Sequence, residues 1–323
     1  MSFQTGIPPA DWDETLAKHG GHVLQSRGWA EFQQALGKEI VYASGDGWCW
    51  MGYLERRRGG QFLYTPYGPV AKSESALRQA IQNLKSGAGD LRVDFVRLEP
   101  VGAATPAGLR AWGGRLVDEN QPRRTIVMNL ADSVDELKHG LAQSNRNLIN
   151  TAEARGVRLE RAESAEATGP FMDLVAQTVR HQKIHLYDER YFKTLFETLM
   201  PLGMVQLHYA TYQGRHAASA VTLDFADTRY YLFAASDFEL NREAKAAVPL
   251  LWSLIMDAKE AGLGQFDFYG IAPTDDPNDK KAGITRFKRS FCDNVVTRVG
   301  TWEIPVRTMK YHLYAVAKRA MSK

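Results

Sequence analysis

Apolar and polar positions along this chain recur with two periods, and the switch from one to the other marks its elements. Behind Ser26, apolar side chains at helical spacing predict a helix over residues 26–36. Runs rich in β-branched and aromatic residues predict strands over 40–44, 48–56 and 61–67. Leu77, Ile81 and Leu84 then fall at i, i+4 and i+7, which predicts a helix ended by Gly87 and Gly89 before an alternating strand over 91–98. The second half repeats this grammar. It predicts helices near 171–180 and 190–199, strands over 205–212, 217–225 and 229–235, and a helix burying Leu250, Leu251, Leu254 and Ala258. Gly262 and Gly264 stop that helix before a strand over 265–271.

Asp94-Phe95 precedes Pro100 by the spacing at which Asp267-Phe268 precedes Pro273, which points to an internal duplication. Each half offers a meander followed by one helix-connected strand pair. That pattern predicts an α/β (α+β) chain with a mixed sheet in each half, not one parallel doubly wound sheet. At roughly 150 residues per domain, the length of 323 residues favours two domains or a duplicated unit. The polar stretch 134–155 reads as one helix joining the halves, and 308–323 as a short basic amphipathic helix.

With 44% hydrophobic and 24% charged residues the chain is neither disordered, collagenous nor a coiled-coil rod. Its net charge of +3 is too mild to imply DNA binding, and no DNA partner is expected. Cys49 and Cys292 lie far apart, which excludes a cysteine-rich zinc site and points to a reducing cytoplasm. No leader-like segment and no apolar run of about 18 residues is visible, so neither a signal peptide nor a membrane span is expected. There is no GxGxxG after a strand, no Walker loop, no HExxH and no GxSxG. His181 and His185 sit four apart, a spacing that suits a metal on a helix, although a solvated helix end is the plainer reading. The segment from Asn241 to Ala247 stands where an acyl-CoA N-acetyltransferase carries its glycine-rich pyrophosphate loop. It contains no glycine, so coenzyme A is a poor donor candidate.

Ordered short motifs carry a further signal: Leu24-Gln25-Ser26 with Trp29, Tyr64-Thr65-Pro66-Tyr67-Gly68-Pro69-Val70, and Arg146-Asn147-Leu148-Ile149 followed by Ala152 and Gly156-Val157. Thr178-Val179-Arg180, the run from Tyr230 to Ser236, Asp267-Phe268-Tyr269-Gly270 and the run from Gly283 to Lys288 follow. In this set the chain resembles the FemABX family of aminoacyl-tRNA-dependent transferases that build peptidoglycan interpeptide bridges. The resemblance covers nearly the whole chain. It implies two tandem acetyltransferase-like (GNAT) domains with mixed β-sheets, residues 1–156 and 157–307, with the helix at 308–323 packing back on the first. Between Gly156 and Pro201 there is room only for a strand and two helices, so there is no helical coiled-coil arm. That likens the chain to the shorter FemX-like branch, which adds the first bridge residue.

The resemblance also implies roles. In the aminolysis of an aminoacyl ester by a stem-peptide amine, Lys288 would counter the oxyanion or hold the tRNA 3′ end. Phe287 would shape the channel for the acceptor end, and Glu99, before Pro100, would orient the attacking amine or accept its proton, with a carboxylate that caps the next turn as an equally good explanation. Thr178 and Arg180 match a Thr-x-Arg pair whose arginine holds phosphate of the muramyl peptide. Tyr231 would hydrogen-bond that peptide, and Tyr67 stands where the family more often has arginine. The family's lysine near the early tryptophan is missing from Trp29-Ala30-Glu31-Phe32, which leaves Arg27 and Lys38 as substitutes. Without the family, Phe287 and Lys288 read as a core aromatic beside a solvated lysine, and Arg180 as one half of a surface ion pair. The implied partners are aminoacyl-tRNA, met in part by the basic stretch from Lys280 to Arg289, and a UDP-linked or lipid-linked muramyl pentapeptide. No cofactor is implied, and the expected place is the cytoplasm; contact of Lys310, Lys318, Arg319 and Lys323 with anionic lipid at the inner face of the plasma membrane is an alternative to the plainer reading, packing of this helix back on the first domain. Two rival readings are an acyl-CoA-dependent N-acyltransferase of cell-surface polysaccharide assembly and a non-catalytic tRNA-binding protein.

Overall fold

In the computed structural model, which describes residues 3–57, 60–182 and 187–321, the chain forms two compact units. One comprises Met1–Arg123 with Arg298–Lys323, the other Arg124–Thr297. The chain thus passes between units at Arg123/Arg124 and Thr297/Arg298, whereas the sequence reading set the divisions after residues 156 and 307.

The first unit opens with β1 (Gln4–Thr5), α1 (Trp12–Lys18) and α2 (Arg27–Ala35). Ser26 caps α2 by accepting the Trp29 N–H at 3.1 Å, which satisfies one of the donors a helix start leaves free. A meander follows: β2 (Ile40–Gly45), β3 (Trp48–Arg57) and β4 (Gly60–Thr65), then the short β5 (Val70–Ala71). Helix α3 (Glu74–Asp90) buries Leu77, Ile81 and Leu84, each worth about 1.5–3 kcal/mol on transfer from water. It runs through Gly87 and ends at Asp90, one residue past Gly89. Gly87 is a packing residue: a Cβ on it would come within 2.8 Å of the Phe3 ring. The turn that ends the helix is made at Arg92, φ +55°. Strand β6 (Phe95–Leu98) therefore starts later than the alternation predicted, and β7 (Val101–Gly102), α4 (Pro106–Ala111) and β8 (Arg115–Leu116) follow.

The second unit starts with β9 (Arg124–Asn129) and two helices, α5 (Val134–His139) and α6 (Gln143–Asn150), in place of the single helix predicted over 134–155. A capping box between Ser133 and Glu136 starts α5. The break falls where Leu141 is buried and the Ala142 N–H donates to the Ser290 carbonyl at 2.9 Å, so this stretch packs into the second unit's core. Next come β10 (Val157–Arg161), α7 (Gly169–Gln182), α8 (Glu189–Leu199) and the meander β11 (Val205–Tyr212), β12 (Arg215–Phe225), β13 (Thr228–Ser236). Then follow α9 (Phe238–Ala244), α10 (Ala247–Glu260), β14 (Gln265–Gly270), α11 (Ala282–Arg289) and β15 (Val295–Thr297). The last elements, β16 (Trp302–Pro305) and α12 (Thr308–Met321), return to the first unit.

The first sheet runs β1-β2-β3-β4-β6-β16-β8 and the second β10-β11-β12-β13-β14-β9-β15. Position by position these are one pattern. A meander is followed by a helix-connected parallel neighbour, β4 with β6 and β13 with β14, then by two antiparallel strands. The sixth position is filled crosswise. Strand β9 follows the first unit's strands in sequence and sits in the second sheet, while β16 follows the second unit's strands and sits in the first. The Asp-Phe motif falls on equivalent strands, the fifth of each sheet: Asp94 immediately precedes β6, and Asp267 lies inside β14. Among the described residues no helix is long and apolar enough to cross a membrane, and no long helical arm interrupts the second unit.

Candidate functional site

In the second unit β13 and β14 pair only at Thr228/Gln265, Arg229/Phe266 and Tyr230/Asp267, after which β13 runs on to Ser236 paired with β12 but not with β14. The root of this opening is fixed by Arg229, whose guanidinium is buried and takes the Asp224 carboxylate bidentately at 2.7 Å, with Asp257 as a further partner. Beyond the root β14 is bent. The Asp267 carboxylate accepts the Tyr269 N–H at 2.7 Å and the Thr125 hydroxyl, Tyr269 adopts φ +62°, and pairing with β9 shifts between Asp267 and Gly270.

Helix α11 supplies the charge. Thr285 and Lys288, one helical turn apart, are both buried; the Thr285 hydroxyl accepts the Ala272 N–H at 2.9 Å and donates to the Lys281 carbonyl. Lys288 Nζ donates to the Gly270 carbonyl at 2.7 Å and lies 5.8 Å from the centre of the Tyr231 ring. Burial pushes the Lys288 ammonium down to about 7, with Asp267 opposing the shift and Lys281 adding to it. An ammonium has three donors, so Lys288 keeps capacity beyond the one spent on Gly270. Phe287 packs edge-on against Phe291 at 5.5 Å beside the core, and burial also raises the Tyr231 hydroxyl pKa.

Thr178 latches α7 to the end of β13: its hydroxyl accepts the Ser236 N–H at 3.0 Å and faces the Ser236 carbonyl at 3.3 Å. Arg180, two positions on, is on the other side of the helix and exposed. The first amide of α10 is taken by the Asn241 side chain, which accepts the Ala247 N–H at 2.9 Å, and Pro249 in its first turn has no N–H. These are amides that a pyrophosphate at a helix N-terminus would need. The sequence signal, a glycine-free loop, thus has a structural counterpart.

In the first unit the equivalent parallel pair stays closed. β4 and β6 pair from Phe62/Phe95 to Thr65/Leu98, and pairing resumes between β5 and β7 at Val70/Val101. Glu99, 4% exposed, sits between these zippers. One of its oxygens receives the Gln121 N–H (2.8 Å) and the Thr301 hydroxyl (2.6 Å), the other the Tyr64 hydroxyl (2.8 Å) and the Tyr67 N–H (3.3 Å). Burial raises the Glu99 pKa, and these donors oppose the shift. Tyr67 is buried; its hydroxyl donates to the Pro122 carbonyl at 2.9 Å, and its ring lies 4.1 Å from His22 and 4.7 Å from the Arg298 guanidinium. A small pocket of about 10 Å³, room for about one water, is lined here by Tyr67, Glu99, Arg123 and Arg298 among others.

The seven residues named from sequence therefore fall into two groups. Lys288, Phe287 and Tyr231 cluster in the second unit, with Thr178 and Arg180 at the far end of β13; Glu99 and Tyr67 touch in the first. Asp267, Thr285 and Gly270, which set the position of Lys288, were not named as site residues, although the Asp-Phe dipeptide and the Gly283–Lys288 motif bracketed them. Arg298 was missed without a motif to announce it. Among the described residues no group of three or more His, Cys, Asp or Glu is placed to hold a metal. His181 stacks on Phe238 at 3.7 Å, while His185 lies outside the described residues.

Two mixed sheets of this order, each with one helix-connected parallel pair, resemble GNAT-like folds. The solved structure of FemX superposes with a TM-score of 0.83 at 18% identity, over 97% of this chain and 99% of that one. A tandem GNAT protein from the clavulanic acid biosynthesis pathway gives 0.55 at 10% identity, over 94% and 99%. In sequence, an aminoacyltransferase FemA of Staphylococcus epidermidis is 29% identical over 87 residues, 27% of this chain but only 21% of that protein's length. A lipid II:glycine glycyltransferase of the same species is 19% identical over 94% of this chain and 92% of its own length. The FemAB family profile matches residues 110–213 and 201–319, more than half of the chain, and the chain belongs to that family.

Proposed function

We propose that this chain is an aminoacyl-tRNA-dependent transferase that moves one amino acid onto the stem-peptide amine of a peptidoglycan precursor, with the chemistry at the open end of β13 and β14. The observation that carries this reading is Lys288, an amine buried where a strand pair splays, held by a backbone carbonyl, with its pKa near 7. Perturbed groups at such openings are what acyl-transfer sites need.

In this reading the neutral stem-peptide amine attacks the carbonyl carbon of the aminoacyl ester. A C–N bond forms and the carbonyl oxygen becomes an oxyanion; collapse breaks the C–O bond to the ribose. The proton lost by the amine ends on the ribose oxygen. Lys288, protonated, counters the oxyanion in a site where few waters compete. With a pKa near 7 it also exchanges a proton at little cost. Tyr231 and Phe287 wall the site, and Arg180 takes phosphate of the acceptor's carrier. Glu99, with both oxygens doubly engaged, fixes the Tyr67 loop in this reading instead of taking the proton. The similarity to a lipid II:glycine glycyltransferase favours a lipid-linked acceptor, and a site of action on the cytoplasmic side of the membrane is part of the same proposal.

The test is to incubate the protein with UDP-linked and lipid-linked muramyl pentapeptide and a pool of charged tRNAs, and to read product mass. An increment of one amino-acid residue is expected. No increment with any charged tRNA, together with acyl transfer from acyl-CoA, would assign the site to the other donor class. Arg180→Ala is expected to weaken muramyl-peptide binding by about tenfold, the scale of one charge-assisted contact; an unchanged titration would remove the phosphate role.

A further inference from the structure

Helix α12 is mounted on the first unit by one face only. Tyr311 and Tyr314 are buried, with ring centres 5.3 and 4.8 Å from that of Phe95. The Tyr311 hydroxyl donates to Glu303 at 3.0 Å, and Arg97 donates to the Tyr314 oxygen at 3.0 Å. The opposite face carries Met309, Leu313 and Val316, exposed by 82%, 70% and 66%, the three most exposed large apolar side chains among the described residues. Their spacing of i, i+4 and i+7 aligns them in one ridge. A surface helix ordinarily turns its apolar row to the core; this one has two such rows, and the fold covers one.

The chemistry around the ridge indicates what covers the other. Residues 304–323 contain no Asp or Glu, and they carry Arg307, Lys310, Lys318, Arg319 and Lys323; Lys323 and the side chain of Arg319 lie outside the described residues. Arg307 and Lys310 each stand 3.9 Å from Asp94, and Lys318 stands 3.3 Å from Asp118. Those pairs are long or solvent-exposed, so they hold the cations weakly. A second copy of the same helix would set this positive segment against itself, which disfavours self-pairing.

We propose that the outer face of α12 docks on an anionic lipid surface. Met309, Leu313 and Val316 enter the boundary between headgroups and acyl chains, and Lys310, at the edge of the ridge with its side chain 61% exposed, meets lipid phosphates. This inference concerns where the protein sits and does not rest on the transfer reaction.

The full chain would be sedimented with vesicles of phosphatidylglycerol and phosphatidylcholine in equal parts, and with vesicles of phosphatidylcholine alone. Binding to the anionic vesicles is expected, weakened by salt and weakened at least ~10-fold by Leu313→Glu. Because Leu313 is exposed, the variant should melt with the wild type; if it does not, Met309→Glu gives the same reading from the other end of the ridge. Equal binding to both vesicle types, no binding, or variants that bind as wild type would overturn the proposal. So would a wild-type dimer that Leu313→Glu dissociates without changing vesicle binding, since the ridge would then belong to a second copy.

Discussion

The two sheets share a strand order and differ at one place, the end of their parallel pair. In the first unit β4 and β6 stay zipped, and pairing resumes at β5 and β7 with Glu99 as the knot between, four donors on two oxygens. In the second unit pairing stops after Tyr230/Asp267, and the bend imposed by Asp267 leaves the Gly270 carbonyl for Lys288. A buried carboxylate with all its partners is a structural tie. A buried amine hydrogen-bonded to one backbone carbonyl, with its pKa lowered to about 7, is the group the proposed transfer uses. One topology thus yields a braced sheet and an open one, according to where a carboxylate sits relative to the strand.

The largest stability effect expected from perturbing the closed side is at Arg97, whose pair with Glu303 is 6% and 3% exposed. Arg97→Ala should cost about 3–5 kcal/mol because it strands the Glu303 charge, read as a fall in denaturant midpoint; a change below 1 kcal/mol would mean the pair is not buried in solution. Glu99→Gln comes next. An amide nitrogen cannot accept the two donors an oxygen held, so about 1–3 kcal/mol should be lost, checked by the same unfolding curve.

On the open side, Asp267→Ala removes the charge that holds the Lys288 pKa up. The Lys288 titration, followed by NMR of its side-chain amine, should move below about 7; an unmoved midpoint would mean Asp267 does not act on that ammonium. The burial of Lys288 should show as well in the pH dependence of stability. The folded pKa of Lys288 lies below its unfolded value of 10.5, so between about pH 7 and 10.5 the unfolded chain binds more protons and stability rises with pH. Below about pH 7 the cost of burying the charge is fully present. Lys288→Met should therefore melt higher than wild type under mildly acidic conditions, with the gap closing as the solution becomes alkaline; a gap constant across pH would contradict the burial of a charged amine.

Much of this architecture is legible in the chain because its burial pattern is periodic. The meander over 205–235 and the helix burying Leu250, Leu251, Leu254 and Ala258 fall where predicted, since each strand or helix carries its own apolar face. Gly87 misled because a glycine that admits a neighbour's ring looks, in sequence, like one that ends a helix. The exchange of β9 and β16 between sheets left no local trace, since strand pairing is non-local. The site was bracketed by a resemblance, but its energetics were not. Lys288 reads, without the family, as a solvated lysine, and only the fold reveals that its side chain is turned inward.

The comparison is tested most directly by measuring amino-acid transfer to muramyl pentapeptide, per folded molecule, for wild type, Lys288→Ala and Glu99→Gln. If the open sheet is the reacting one, Lys288→Ala should lose roughly 10²–10³-fold in rate with an intact fold, the scale of one removed oxyanion donor, while Glu99→Gln loses stability and keeps its rate. Wild-type-like turnover by Lys288→Ala, with the loss of rate falling on Glu99→Gln, would place the chemistry in the closed sheet and contradict the account.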